Sequence, residues 1–276
     1  MPSRLGQNFL ASPAWRQRVL AAIAAQPADH IIEIGGGRGE LSTGLAESGA
    51  RLLIVELDAV LAARLQHRFA GNSRVQVRNS DIRRLDLAGE LSAMRSSLEM
   101  TPPEAGRNLA VGNLPYYITS PILSQLCRYA HVLNEAVLMM QQEVAERVTA
   151  PPGRRAYGLL TAWVQAHARP ERLFNLPPAA FRPAPQVNST LLRLSFAPRF
   201  QAWQVEPDSF HDFLRAAFAS KRKRLWNNLK PRFPEPGLIQ AWREMELARE
   251  ARAEELSPEQ LAGLLRRLQA AAGAAP

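Results

Sequence analysis

Four consecutive residues, Asn113-Leu114-Pro115-Tyr116, carry the parts needed for chemistry on an adenine amine. The exocyclic nitrogen of adenine is a poor nucleophile because its lone pair is delocalised into the ring. A side-chain amide oxygen and a nearby main-chain carbonyl can accept its two N–H groups and favour a pyramidal nitrogen. An aromatic face then stacks the base once it has left its own stack. Asn113, the Leu114 carbonyl and Tyr116 supply those parts within four residues, with Pro115 completing the turn. Proline turns are common; this one follows an apolar run that reads as a strand.

Three further features stand at the ends of earlier apolar runs. Ile31-Ile32-Glu33-Ile34-Gly35-Gly36-Gly37-Arg38-Gly39 reads as a strand entering a glycine turn and a helix. Its spacing is E-x-G-x-G-x-G rather than the G-x-G-x-x-G of a dinucleotide site, and suits the phosphate-free ligand S-adenosylmethionine. Glu56 ends the second run, where a carboxylate can accept both hydroxyls of a ribose. Asp58 is the better helix N-terminal charge. After the third run, Asp81 can accept from an adenine amino group while Ile82 packs on the ring. Together with the Asn113 segment, this register predicts a methyltransferase fold.

The elements that must position these residues follow from periodicity. Strands are expected near 30–35, 51–56, 74–78, 108–112, 136–141, 171–175 and 190–196, with helices between them. Continuous apolar strands such as Leu52-Leu53-Ile54-Val55 imply burial on both sheet faces. Ser12-Pro13 and Ser120-Pro121 each read as an N-cap followed by a first helical residue. The segment 92–107 reads as an irregular surface loop. After Pro198 only helices are expected, so the ranges 1–197 and 198–276 are read as an α/β domain and a small all-helical domain. Phe210, Phe213, Leu214, Ala217 and Phe218 form one helical stripe, and Ser257 with Gln260 forms a capping box.

Composition bounds the partners. The 276 residues carry 34 Lys plus Arg against 25 Asp plus Glu, a formal charge of +9 that favours a polyanion. Lys221-Arg222-Lys223-Arg224 is the densest basic cluster and is expected to contact phosphates from a helix spanning 218–229. Cys127 is the one cysteine, which excludes an internal disulfide, and the five histidines show no metal-ligand spacing. Seven apolar residues, 19–25, are too few to span a bilayer. A soluble, cytoplasmic, monomeric protein without membrane association or metal is expected.

These motifs, with Gly6-Gln7-Asn8-Phe9-Leu10 and Phe181-Arg182-Pro183-Ala184-Pro185-Gln186-Val187-Asn188-Ser189, resemble those of the ribosomal RNA adenine dimethyltransferases over essentially the whole chain. The resemblance implies a class I methyltransferase fold: a Rossmann-like doubly wound sheet of seven strands, the last antiparallel, with a small helical C-terminal rRNA-binding domain. It implies that Asn8 and Leu10 close the S-adenosylmethionine site and that Gly35 and Gly37 line its methionine part. Glu56 would hold the ribose, and Asp81 with Ile82 the adenine. Asn113 would lie between cofactor and target base, Tyr116 would stack on the base, and Phe181 would flank it. The implied substrate is a pair of adjacent adenosines near the 3′ end of small-subunit rRNA within the assembling 30S subunit. Gly36 and Tyr117 depart from the family pattern, Gly36 replacing the usual proline. Three rival readings are a large-subunit rRNA methylase of the macrolide-resistance type, a DNA adenine methylase and an assembly factor without activity.

Overall fold

The computed structural model describes residues 8–96, 106–220 and 223–273. The chain divides into two compact units, Met1–Ala145 with Arg169–Ala197, and Glu146–Ala168 with Pro198–Pro276.

In chain order the first unit begins with β1 (Phe9–Leu10), α1 (Pro13–Ile23), β2 (His30–Ile34), α2 (Ser42–Glu47), β3 (Arg51–Glu56), α3 (Ala59–Phe69) and β4 (Val75–Asn79). It continues with α4 (Leu87–Ser96), β5 (Asn108–Asn113), α5 (Thr119–Arg128) and β6 (Glu135–Gln141). Helix α6 (Gln142–Val148) crosses the boundary between units, and α7 (Leu159–His167) lies in the second. β7 (Ala168–Leu176), β8 (Phe181–Arg182) and β9 (Ser189–Phe196) complete the strands.

Seven strands form one sheet in the order β4-β3-β2-β5-β6-β9-β7, which includes all seven expected from the sequence. Strands β2 to β6 are parallel to their neighbours, and β9 is antiparallel to β6. The sheet is therefore the Rossmann-like α/β architecture read from the alternating apolar runs. Every residue of β2 is buried, as is β3 from Leu52 onward, because helices cover both faces. Their apolar side chains form a core with Val19 and Ile23 of α1 and with Leu109 and Val111 of β5.

Strand order reverses between β2 and β5, where an open α/β sheet presents a crevice at its carboxyl edge. Register then aligns the chemistry. Ile34 pairs with Val55 on one side and Gly112 on the other, so Gly35, Glu56 and Asn113 follow one step later at the same edge. Glu56 pairs with Asn79, which puts Ser80 and Asp81 just beyond.

Two helix starts differ in an instructive way. Ser12 precedes α1 with Pro13 as its first residue, as expected. In contrast, α5 begins at Thr119, whose Oγ1 donates to the Pro115 carbonyl at 3.1 Å, so Ser120 and Pro121 lie inside the first turn. Proline is tolerated there because first-turn N–H groups have no helical acceptor.

The second unit contains α8 (Phe200–Trp203), α9 (Pro207–Ala217), α10 (Leu225–Leu229), α11 (Glu235–Glu244) and α12 (Pro258–Gly273). The stripe on α9 is real: Phe210, Phe213, Leu214 and Ala217 are all buried. α7 packs with α9 and α12, which draws residues 146–168 into this unit although they lie within the 1–197 range read from sequence. Ser257 and Gln260 close the capping box before α12, with N–H to side-chain bonds of 2.9 and 3.2 Å.

Candidate functional site

The glycine turn after β2 is held from two sides. Gly35 N–H donates to the Val55 carbonyl at 2.8 Å, and Gly37 N–H donates to Glu56 Oε2 at 2.8 Å. Gly35 and Gly37 take φ values of +76° and +58°, which side chains rarely adopt. Gly36 is constrained differently. A Cβ there would lie 2.4 Å from Ile54 Cγ2 and 2.8 Å from Leu65 Cδ1, so those two side chains fill the room that a proline ring would need.

Glu56 is 2% exposed, and both its oxygens are oriented. Oε2 accepts from Gly37 and Oε1 accepts from Asp58 N–H at 2.9 Å. A carboxylate has about four acceptor positions, so two remain for hydroxyl donors. Asp58 itself caps α3, accepting from the N–H groups of Val60 and Leu61.

At the end of β5 the Asn113 amide nitrogen donates to the Asn8 carbonyl at 2.6 Å. This bond fixes the amide and leaves Oδ1 as the acceptor. Leu114 is buried, with its N–H bonded to the Met139 carbonyl at 2.9 Å. Tyr116 is half-buried, its hydroxyl lies 2.8 Å from Ser189 Oγ, and burial raises its pKa.

Two cavities open at this edge. Asn8, Leu10, Glu33, Gly35, Gly37, Glu56, Asn113, Leu114, Pro115 and Tyr116 line the first. The second is lined by Gly35, Glu56, Leu57, Asp81, Ile82, Pro115, Tyr117 and others. Gly35, Glu56 and Pro115 belong to both, so the cavities adjoin across the Glu56 carboxylate. The structure thus gathers Asn8, Leu10, Gly35, Gly37, Glu56, Asp81, Ile82, Asn113, Leu114, Pro115 and Tyr116 along one cleft. Asp81 has its pKa lowered by hydrogen bonding to Arg83.

A family model described as Ribosomal RNA adenine dimethylase matches residues 2–270. The chain belongs to that family. It is 45% identical over 267 residues to Ribosomal RNA small subunit methyltransferase A of Acidobacterium capsulatum, covering 96% of this chain and 90% of the relative. The protein of the same name from Koribacter versatilis is 38% identical, with coverage of 97% and 94%. Among solved structures, a dimethyladenosine transferase from Plasmodium falciparum shares the fold at a TM-score of 0.76 and 21% identity, covering 95% of this chain and 98% of that one. The 23S rRNA methyltransferase ErmE shares it at 0.66 and 24%, covering 95% and 100%.

Other expected family residues lie differently. Phe181 is fully buried, pairs with Leu10 between β8 and β1, and lines neither cavity. Lys221 and Arg222 lie outside the described residues, as do residues 97–105 of the 92–107 segment; residues 92–96, expected in a loop, instead form the end of α4, where Met94 is buried. Lys223 and Arg224 are exposed, but the helix expected over 218–229 is not continuous. α9 ends at Ala217, and α10 begins at Leu225 with Arg224 as its N-cap. Arg224 lies 3.6 Å from Glu250 across an exposed surface.

Sequence reasoning used Glu33 only as the first residue of the E-x-G-x-G-x-G spacing and assigned it no role. It is 1% exposed in the middle of β2, yet it lines the first cavity, and its Oε2 has no hydrogen-bond partner. The buried Ser42 hydroxyl stands beside it without closing a bond of good geometry. Desolvation, with Glu40 and Glu56 nearby, pushes its pKa up to about 8. A carboxylate within Ile-Ile-Glu-Ile, where a core strand calls for an apolar residue, was the available signal. Among the described residues no group of three or more His, Cys, Asp or Glu is placed to hold a metal, and no helix is long and apolar enough to cross a membrane.

Proposed function

We propose that this chain dimethylates N6 of two adjacent adenosines in a hairpin loop near the 3′ end of small-subunit rRNA, during assembly of the 30S subunit. The observation that carries the reading is the fixed Asn113 amide, whose nitrogen is committed to Asn8 and whose oxygen remains an acceptor beside the Glu56 cleft.

The cleft fits S-adenosylmethionine. The Gly35–Gly37 turn has no side chains to obstruct close approach, Glu56 retains acceptor positions for ribose hydroxyls, and Glu33 offers an unpartnered oxygen where a methionine ammonium would lie. Bound there, that cofactor supplies an electrophilic methyl group on sulfur. Asp81 and Ile82 would receive the adenine end, with Asn8 and Leu10 closing the other side.

Residues of the chain then act on the target base. Asn113 Oδ1 and the Leu114 carbonyl accept its two N–H groups, favouring a pyramidal nitrogen. Tyr116, its hydroxyl tied to Ser189, presents a ring for stacking, and Phe181 flanks the base if the short β1–β8 pair opens. Catalysis rests on positioning and electrostatics, and the proton leaves to water after attack. The α/β unit, 1–145 with 169–197, would perform the reaction. The helical unit, 146–168 with 198–276, would hold rRNA phosphates through Lys221, Arg222, Lys223 and Arg224. We place this activity in the cytoplasm and assign it to a monomer.

Replacing Asn113 with Ala tests the reading. Single-turnover methylation of small subunits should fall about 100-fold or more, by analogy with loss of one preorganised hydrogen-bonding group, while rRNA affinity holds. Unchanged methylation would overturn the assignment.

A further inference from the structure

The Asp81 carboxylate, which faces the second cavity, is already occupied. Oδ1 accepts from the Arg83 main-chain N–H at 3.0 Å and from Arg83 Nε at 3.0 Å. Oδ2 accepts from the same Nε at 3.1 Å and from Nη2 at 2.6 Å. Three N–H groups of a single residue, the Nε–H shared between both oxygens, thus face the roughly four acceptor positions of the carboxylate. The Asp81 side chain is 15% exposed while that of Arg83 is 44% exposed, so the guanidinium approaches from the solvent side. Tyr117, 58% exposed, lines the same cavity.

We propose that Arg83 competes with the adenine amino group of the cofactor for the Asp81 carboxylate, and so sets cofactor affinity. The inference rests on the reading of Asp81 as the adenine acceptor. Because the shared Nε–H draws on both oxygens and Nη2 holds one of them, an incoming amino group bonds fully to the carboxylate as Nε or Nη2 withdraws. The main-chain N–H bond can persist and keeps the carboxylate aimed at the cavity. Because the guanidinium is nearly half exposed, water replaces the bonds it loses, and the competition is modest. Arg83 acts through Asp81 and does not touch the reacting atoms, which makes it a positioning residue.

The test measures dissociation constants of two probes, S-adenosylhomocysteine and its inosine counterpart, which carries an oxo group in place of the amino group. Removing the competitor by Arg83→Ala should tighten S-adenosylhomocysteine about two- to fivefold, the range set by an exposed ion pair. Arg83→Gln should fall between wild type and Ala. Neither variant should tighten the inosine probe, which has no amino group to offer Asp81. Added salt should narrow the gap between wild type and Arg83→Ala, because it screens the ion pair. Unchanged or weaker S-adenosylhomocysteine binding in Arg83→Ala would overturn the competition, as would equal tightening of both probes. If wild type binds neither probe, the cofactor reading itself falls and this inference with it.

Discussion

Glu33 and Asn113 show how much of this site depends on single side chains with an unused oxygen. A carboxyl buried among apolar strands, with one oxygen unpartnered and Glu40 and Glu56 nearby, favours its neutral form. Between about pH 4.5, its ordinary value, and about pH 8, the folded chain holds a proton that the unfolded chain has lost. Stability contributed by this group is therefore full below that window and falls as pH rises through it. Glu33→Gln removes the titration. Thermal or denaturant unfolding should show the variant more stable than wild type by a few kcal/mol at pH 8, and little different near pH 4.5. Equal stabilities at both pH values would mean that burial does not shift the Glu33 pKa. The placing of Asn113 and Tyr116 at the cleft was legible in sequence because both stand at one strand end. Glu33 was not, since its importance comes from the cavity that the turn and β5 build around it. The Arg83 contacts were equally hidden, as a basic residue two positions after an aspartate has no fixed rotamer in sequence.

Elements position the site through register and through what fills the space behind the glycine turn. β2, β3 and β5 deliver Gly35, Glu56 and Asn113 to one edge because their pairings differ by no stagger there. Sequence periodicity located these strands, since buried parallel strands read as unbroken apolar runs. It could not place the start of α5, where the local bond from Thr119 to the Pro115 carbonyl sets the first turn ahead of the Ser-Pro signal. Nor could it show that the basic segment breaks between α9 and α10. The effect of glycine at 36 was likewise invisible. Glycine in place of proline would by itself loosen the turn, whereas Ile54 and Leu65 fill the space behind it. Gly36→Ala should therefore destabilise the fold by about 1–3 kcal/mol, as overpacking does. In the background of Ile54→Ala, the same substitution should cost less. Additive losses in that double-mutant cycle would show that the Ile54 contact is not the cause.

For the whole molecule, the formal charge of +9 and membership of the rRNA adenine dimethylase family point the same way. The polyanion term was legible from composition; which residues carry it was only partly so, because Lys223 and Arg224 precede α10 rather than lying within a helix. Charge reversal at Lys223 and Arg224 should weaken rRNA binding and flatten its dependence on salt, reducing the slope by roughly one for each phosphate that is no longer neutralised. Filter binding across a salt series would show this, and an unchanged slope would remove both residues from the interface. The most direct test of the central claim is methyl incorporation from labelled S-adenosylmethionine into small subunits lacking the modification, followed by nucleoside analysis. The account predicts N6,N6-dimethyladenosine in small-subunit rRNA; label confined to large-subunit rRNA, or no incorporation despite subunit binding, would contradict it.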